Sequence, residues 1–314
     1  MKLFPFLTVW AVLIALNPTG VLAQSAGSAK KALEAIAKRD FKQAVELVRR
    51  IDDPNYWDKS GATLLMCAAE MGAKEVCQVL LDKGADPNLR SANGTTALYV
   101  ASQNGCTEVV RLLLDTEAAT DLRPDNGATP LIIASEYGHD EIVSLLVDKG
   151  ADTDLKDNHG ATALIVAARN GYDEIAKTLL DRGADPDIRN TGGCTALILA
   201  AQEGHKGIVR SLLDHNADVN IHSANGNTAL VLASLRGDKE LAEMLIGEGA
   251  RVDHKTGTGA TALFAAASRG HCQVAKLLLE NGADPLVVDA QGKTAFSYAK
   301  DYAVRSLLTS WSRK

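Results

Sequence analysis

Glycine recurs every 33 residues along this 314-residue chain, at Gly61, Gly94, Gly127, Gly160, Gly193, Gly226, Gly259 and Gly292. A fixed period of that size constrains the fold more than composition does. Each period must be one supersecondary unit that cannot bury its apolar face alone and so buries it against its neighbours. Length alone suggests about two domains, but that expectation fails for a chain that grows by stacking. Further columns run in phase. Two residues after each glycine stand Thr63, Thr96, Thr129, Thr162, Thr195, Thr228, Thr261 and Thr294. Two further on come Leu65, Leu98, Leu131, Leu164, Leu197, Leu230, Leu263 and Phe296, and three beyond those a column of alanines from Ala68 to Ala299. A second glycine column runs from Gly72 through Gly171 to Gly270.

Each column has a physical meaning. The Gly61 column suits a tight turn with positive φ. The threonines are placed to N-cap a helix, and Pro130 follows Thr129 at the first helical position, where its missing N–H costs nothing. Leucine and alanine three apart face one side of that helix, with the alanines allowing close approach of neighbouring helices. The second glycine column ends the helix and reverses the chain. A second helix follows, as in Asp140–Val147, with i, i+3, i+4 apolar spacing. Gly84, Gly150, Gly183, Gly249 and Gly282 then occupy a left-handed C′ position, which Glu117 breaks in one repeat. Arg251 stands in a column that elsewhere holds Asp86, Asp152, Asp185, Asp218 and Asp284. The junctions after residues 116 and 250 are therefore expected to be local weak points.

This pattern resembles the ankyrin repeat, whose period is 33 and whose signature is T-P-L-H-x-A; Thr129-Pro130-Leu131-Ile132-Ile133-Ala134 matches it best. The resemblance implies an all-α solenoid of stacked helix-turn-helix units with β-hairpin tips. Residues 58–288 supply seven full repeats, 24–57 an N-terminal capping helix pair, and 289–314 a C-terminal capping partial repeat, the ends expected to be more polar than the middle. One departure is systematic. The histidine position of the signature holds Met66, Tyr99, Ile132, Ile165, Ile198, Val231 and Phe264. Packing is expected to replace the polar inter-repeat bond that the family's histidine implies.

The first residues read as an address. Met1-Lys2, an apolar run from Leu3 to Leu16, and Val21-Leu22-Ala23 before Gln24 have the layout of a secretory signal cut after Ala23. The run is shorter than the ~20 residues a membrane span needs. The expected product is periplasmic or secreted, with no membrane span after cleavage and with Ser25–Ala29 as a short flexible lead.

Catalytic chemistry is absent from the motifs. There is no His-Glu-x-x-His and no Gly-x-Ser-x-Gly. Gly292-Lys293-Thr294 lacks the glycine five positions earlier that a phosphate loop needs, Val287 standing there. His139, His205 and His271 are two repeats apart, too far to share a metal. His215, His222 and His254 read as loop surface. The expectation is a non-enzyme with no cofactor and no metal. Five cysteines leave at least one unpaired; Cys67 and Cys77 lie on the two helices of one repeat, where a disulfide competes with plain burial in apolar columns.

The expected function is an exported protein-binding scaffold. Alternatives are an envelope factor that protects or assembles another exported enzyme, and a secreted effector acting on a host protein. A net charge of −6 argues against nucleic acid. Four residues before the turn glycine stand Arg90, Arg123, Lys156 and Arg189, a basic column that reads either as a grip on an acidic partner surface or as surface paired with the neighbouring aspartates. Tyr99, Tyr137, Arg169, Arg236 and Arg269 join it from the inner helices. Trp57 is a candidate anchor, because aromatics dominate interface energetics. The expected state is a monomer with one protein partner.

Overall fold

A computed structural model describes residues 22–312 apart from residue 59. Nearly all of the expected signal, residues 1–21, lies outside the described residues. Seven inner helices, α3 (Leu64–Glu70), α5 (Ala97–Gln103), α7 (Pro130–Tyr137), α9 (Ala163–Asn170), α11 (Ala196–Glu203), α13 (Ala229–Arg236) and α15 (Ala262–Arg269), form one layer. Seven outer helices, α4 (Lys74–Asp82), α6 (Thr107–Asp115), α8 (Asp140–Asp148), α10 (Asp173–Asp181), α12 (Lys206–Asp214), α14 (Lys239–Gly247) and α16 (Cys272–Glu280), form the other. Each helix touches its repeat partner and its counterparts in the repeats on either side.

The threonine column starts the inner helices. Thr63, Thr96, Thr129, Thr162, Thr195 and Thr228 each accept, through Oγ1, the N–H three residues on at 3.2–3.3 Å. This satisfies one orphan donor at each start. Thr261 departs: its hydroxyl is buried without a partner. Alanines 68, 101, 134, 167, 200, 233 and 266 are wholly buried, so inner helices pack at close range. Gly171 shows why its column needs glycine. Its φ is +81°, and a Cβ there would sit 2.5 Å from the ring of His205 in the next repeat.

Between outer and inner helices the chain forms hairpin-like tips. Each is closed by bonds such as Ser91 N–H to Thr95 O at 2.9 Å and Gly94 N–H to Ser91 O at 2.8 Å. Extended ladders do not form among the described residues; the one isolated bridge pairs Trp57 with Thr63.

Both ends differ from the sequence expectation. The first helix, α1 (Leu22–Ala37), is continuous through Ser25–Ala29, so that segment is helical and not a flexible lead. Lys30, Lys31, Leu33 and Ala35 propagate it, and Ala29, Ala32 and Ile36 bury its inner side. With α2 (Phe41–Val48) it covers the first full repeat. At the other end α17 (Ala295–Tyr298) is a single turn and α18 (Tyr302–Trp311) follows at once. Asp301, Arg305, Ser306, Thr309 and Ser310 are exposed there, and so are Leu286, Val288, Phe296 and Tyr302, with the Arg305 guanidinium 4.4 Å over the Phe296 ring.

Candidate protein-binding surface

The basic column does not pair with the aspartates. Arg90 Nη2 donates to the backbone carbonyl of Arg123 at 2.6 Å, Arg123 Nη2 to Lys156 O at 2.5 Å, and Arg189 Nη2 to His222 O at 2.8 Å. Lys156 and Lys255 reach Arg189 O and Val288 O at a longer 3.4 Å. Arg123 and Arg189 also bind their own tips, through Gly127 O and Gly193 O. The column is thus a ladder tying each repeat to the next, because a long cationic side chain at that point lies beside a carbonyl left over by the neighbouring turn.

Two more ladders run beside it. Asn55, Asn88, Asp121, Asp154, Asp187, Asn220 and Asp253 each accept the backbone N–H 31 residues on, as in Asp218 N–H to Asp187 Oδ1 at 2.9 Å. Desolvation raises the carboxyl pKa of Asp121, Asp187 and Asp253 against the opposing pull of that N–H. Successive tips are bonded too, as in Ala92 N–H to Ser60 O at 3.1 Å and Ala290 N–H to Thr258 O at 3.0 Å. Arg251 does not interrupt the pattern, since its backbone N–H still reaches Asn220 Oδ1 at 2.9 Å. Glu117, by contrast, holds φ +61° in a glycine column.

The other sequence candidates separate. Tyr99, expected on the open inner face, is only 5% exposed, and Asn126 of the next repeat donates to its hydroxyl at 3.1 Å. Burial raises its pKa while that bond opposes the rise. It belongs to the inter-repeat seam. Arg236 Nη1 closes the end of α11 by donating to Gln202 O at 2.9 Å. His139 and His271 do the same for their preceding inner helices, with Nε2 at 3.1 Å from Gln103 O and from Leu235 O. Arg169 and Arg269 are exposed in the last turns of α9 and α15, where cations suit the helix dipole. Tyr137 is exposed and stacks near His139. Trp57 is 62% exposed at the first tip, so it is not packed into the cap. The structure does not gather these residues into one site.

The column four residues after each threonine is buried at Ile133, Val166, Leu232 and Ala265 and partly exposed at Cys67, Val100 and Leu199. At the N-terminal end Cys67 and Val100 border a groove with Met66, Glu70 and the tip residues Ser60 and Asn93. At the C-terminal end Leu232, Leu235 and Phe264 border another with Tyr298 and the tip residues Thr258 and Gln291. The residue before each turn glycine carries no formal charge, Ser60, Asn93, Asn126, His159, Gly192, Asn225, Thr258 and Gln291, while Asp58, Asp125, Asp157 and Asp289 bring charge to other tip positions. Ion pairs lie on the outer helices instead, as in Lys74–Glu108 at 2.6 Å and Arg111–Glu141 at 3.0 Å. The open apolar surface is therefore confined to these two grooves, bordered mostly by uncharged tip residues. Which members of the apolar column stay partly exposed was not legible in the sequence.

A family description of ankyrin repeats matches residues 16–91, 32–123, 117–190, 179–256 and 230–310, spanning nearly the whole chain. The chain belongs to the ankyrin-repeat family. Among solved structures the array is similar to the ankyrin repeat domain of Bcl-3, described as a unique member of the IkappaB protein family. The TM-score is 0.62 and the identity 27%, over 69% of this chain and 99% of that one. Comparison with curated proteins gives no match. Ankyrin repeats generally act as protein–protein interaction scaffolds, and this array has the surface for that role.

Two family-level expectations are refined. Packing fills the signature's histidine position at Ile132, Ile165 and Ile198, all nearly inaccessible, whereas Tyr99 keeps a polar inter-repeat bond there. The cysteines are free, Cys67 and Cys77 included. Burial pushes both of those thiols up to about 12, far from the thiolate that nucleophilic or redox chemistry uses. Among the described residues no group of three or more His, Cys, Asp or Glu side chains is placed to hold a metal ion, and no helix is long and apolar enough to cross a membrane.

Proposed function

We propose that this ankyrin array is an exported, non-catalytic scaffold that holds one protein partner in its concave groove. The observation that carries this reading is the division of the surface. The basic column is engaged in joining repeats, while two apolar grooves, one beside Met66, Cys67 and Val100 and one beside Leu232, Leu235 and Phe264, stay open between the tips. Apolar surface of this kind, rimmed by polar groups, marks a protein interaction site. Affinity here comes from a few desolvated anchors, for which Leu235 and Trp57 are placed. Export rests on the N-terminal sequence, with cleavage after Ala23 giving a mature chain that begins at Gln24.

The test is affinity capture of the tagged chain from its own cell envelope, read by mass spectrometry. A Gln202→Arg/Leu235→Arg variant places charge on exposed groove positions, and an Arg123→Glu variant does so on the ladder. Loss of one stoichiometric partner in the groove variant, with retention in a folded Arg123→Glu chain, supports the reading. The reverse pattern returns the site to the basic column. N-terminal sequencing of the recovered chain tests export separately: a start at any residue before Ala23 removes the signal reading.

A further inference from the structure

Most charge near the repeat junctions is used by the array itself. On the outer helices Glu108 pairs with Lys74 and Glu141 with Arg111. The ladder aspartates hold backbone N–H groups of the following repeat. The tip acids Asp58, Asp157 and Asp289 close their own turns, as in Asp58 Oδ1 accepting the Ala62 N–H at 3.1 Å. Glu70 and Glu136 on the inner helices have no such use. Among the described residues neither carboxylate has an ion pair or a hydrogen bond.

Both belong to the column seven residues after each threonine: Glu70, Gln103, Glu136, Arg169, Gln202, Leu235 and Ser268. Glu70 lines the N-terminal groove, and Leu235 and Ser268 line the C-terminal one. Glu136, Arg169 and Gln202 between them are exposed, so the column runs along the open side of the array. Each glutamate sits in the last turn of its helix, α3 or α7, where the negative end of the dipole disfavours an anion. Arg169, at the same place in α9, has the sign the dipole favours. Glu70 also stands beside Met66, Cys67 and Val100, and burial raises its carboxyl pKa. Two carboxylates thus occupy positions that cost the fold stability and give nothing back within the chain, which is the pattern of a functional site.

We propose that the first three repeats receive a basic segment of the protein partner, with one lysine or arginine on Glu70, another on Glu136, and an apolar side chain beside Met66 and Val100. This rests on the groove reading above and specifies what the groove takes. The sign is opposite to the one the basic column suggests, because those cations are engaged in the ladder while the carboxylates are free. Packed helices lie about 8–10 Å apart, so the two carboxylates, two repeats apart, are roughly 16–20 Å from each other. An extended chain covers that distance in about five or six residues. Arg169, one repeat further on, repels a third cation and sets the end of the basic stretch.

Random peptides of about twelve residues, long enough to span both carboxylates, are selected on phage against the immobilised full chain, and their affinities are measured by fluorescence anisotropy. The expected result is enrichment of peptides with two Lys or Arg about five or six positions apart. Their Kd should rise roughly tenfold or more in a Glu70→Gln/Glu136→Gln chain and rise with salt. That variant should melt no lower than the native chain, since it removes an anion from two helix ends. Selection without paired cations overturns the proposal. So do basic peptides that bind the Gln variant as tightly as the native chain, or a variant that melts lower, which would assign the carboxylates to the fold. Envelope capture separates this proposal from the groove reading. A partner lost from Gln202→Arg/Leu235→Arg but kept by Glu70→Gln/Glu136→Gln leaves the groove standing and overturns the basic segment, whereas a partner kept by both variants overturns both.

Discussion

Glu117 offers a measurement in which one backbone angle is isolated from packing. It lies in a column with Gly84, Gly150, Gly183, Asn216, Gly249 and Gly282, and every member has positive φ, from +60° at Asn216 to +87° at Gly84 and Gly282. A Cβ built on any of the five glycines meets no atom within 4 Å. A substitution there therefore changes conformational energy and little else. A side chain with a Cβ in the left-handed region costs about 1–2 kcal/mol. Glycine relieves that cost but gives back roughly 0.5–1 kcal/mol through the greater freedom of the unfolded chain. Glu117→Gly is then expected to stabilise by about 0.5–1 kcal/mol, and Gly150→Ala to destabilise by about the same. Asn216→Gly should change little, because asparagine tolerates this region. At roughly 2–4 °C per kcal/mol for a chain of this size, the first two variants should melt several degrees apart. Urea unfolding followed by far-UV circular dichroism gives the free energies, and amide exchange across residues 107–118 shows whether the gain is local to the junction. If Glu117→Gly destabilises the array, or if the two variants shift in the same direction, the account of this column as a purely conformational one is wrong.

The mid-repeat glycines should behave differently. Gly171→Val meets His205 as well as a positive φ and should lower the melting midpoint far more than Gly27→Val, where nothing lies within 4 Å; equal melts would refute the repeat register. The raised carboxyls of Asp121, Asp187 and Asp253 favour the protonated folded state. Their contribution is fully present below the unfolded pKa, about 4, and is lost as pH rises through the folded one, so neutral pH costs the array stability relative to pH near the unfolded carboxyl value. The triple Asp→Asn variant keeps the acceptor, as Asn55, Asn88 and Asn220 do naturally, and should raise the midpoint at pH 7 and flatten its fall as pH rises from about 4. A lower midpoint at pH 7 would show that the charge strengthens the ladder more than burial penalises it. Cys77, wholly buried and with its thiol pushed up to about 12, should resist a thiol-selective reagent in the folded chain and react on denaturation, whereas the partly exposed Cys194 and Cys272 react first. Labelling of Cys77 at the rate of Cys272 would mean that the first repeat opens locally.

The repeat register, the helix starts at the threonines and the glycine reversals were all legible in the sequence, because each is set by residues within a few positions of one another. The ladders were not. Arg123 finds its acceptor 33 residues away on the backbone of Lys156, and no property of Lys156's side chain announces that its carbonyl is free. The sequence offered acidic partners in plain view, so pairing with aspartates was the natural expectation. Tyr99 misled for a related reason. Its column holds mostly aliphatic residues, and only the fold shows that Asn126 of the following tip reaches over to its hydroxyl. The apolar column of the inner helices failed in the other direction: Val100 and Leu199 look like core in any list of apolar positions yet stay partly exposed, while Ile133 and Val166 of the same column are buried.

These findings argue for reading an array's surface by subtraction. A polar side chain that repeats every 33 residues has three possible partners: its own repeat, the next repeat, or something outside. Translational repetition makes the second the default, since any residue able to reach the following unit once can do so in every unit. The column of Asn and Asp residues shows this most fully, with a rung at each of seven junctions. Specific binding must then come from what repeats without a rung, or from where a rung is missing. The grooves beside Cys67 and Val100 and beside Leu232 and Leu235 are the first kind. His222, which turns back to Ser223 O in place of a cationic rung, is the second.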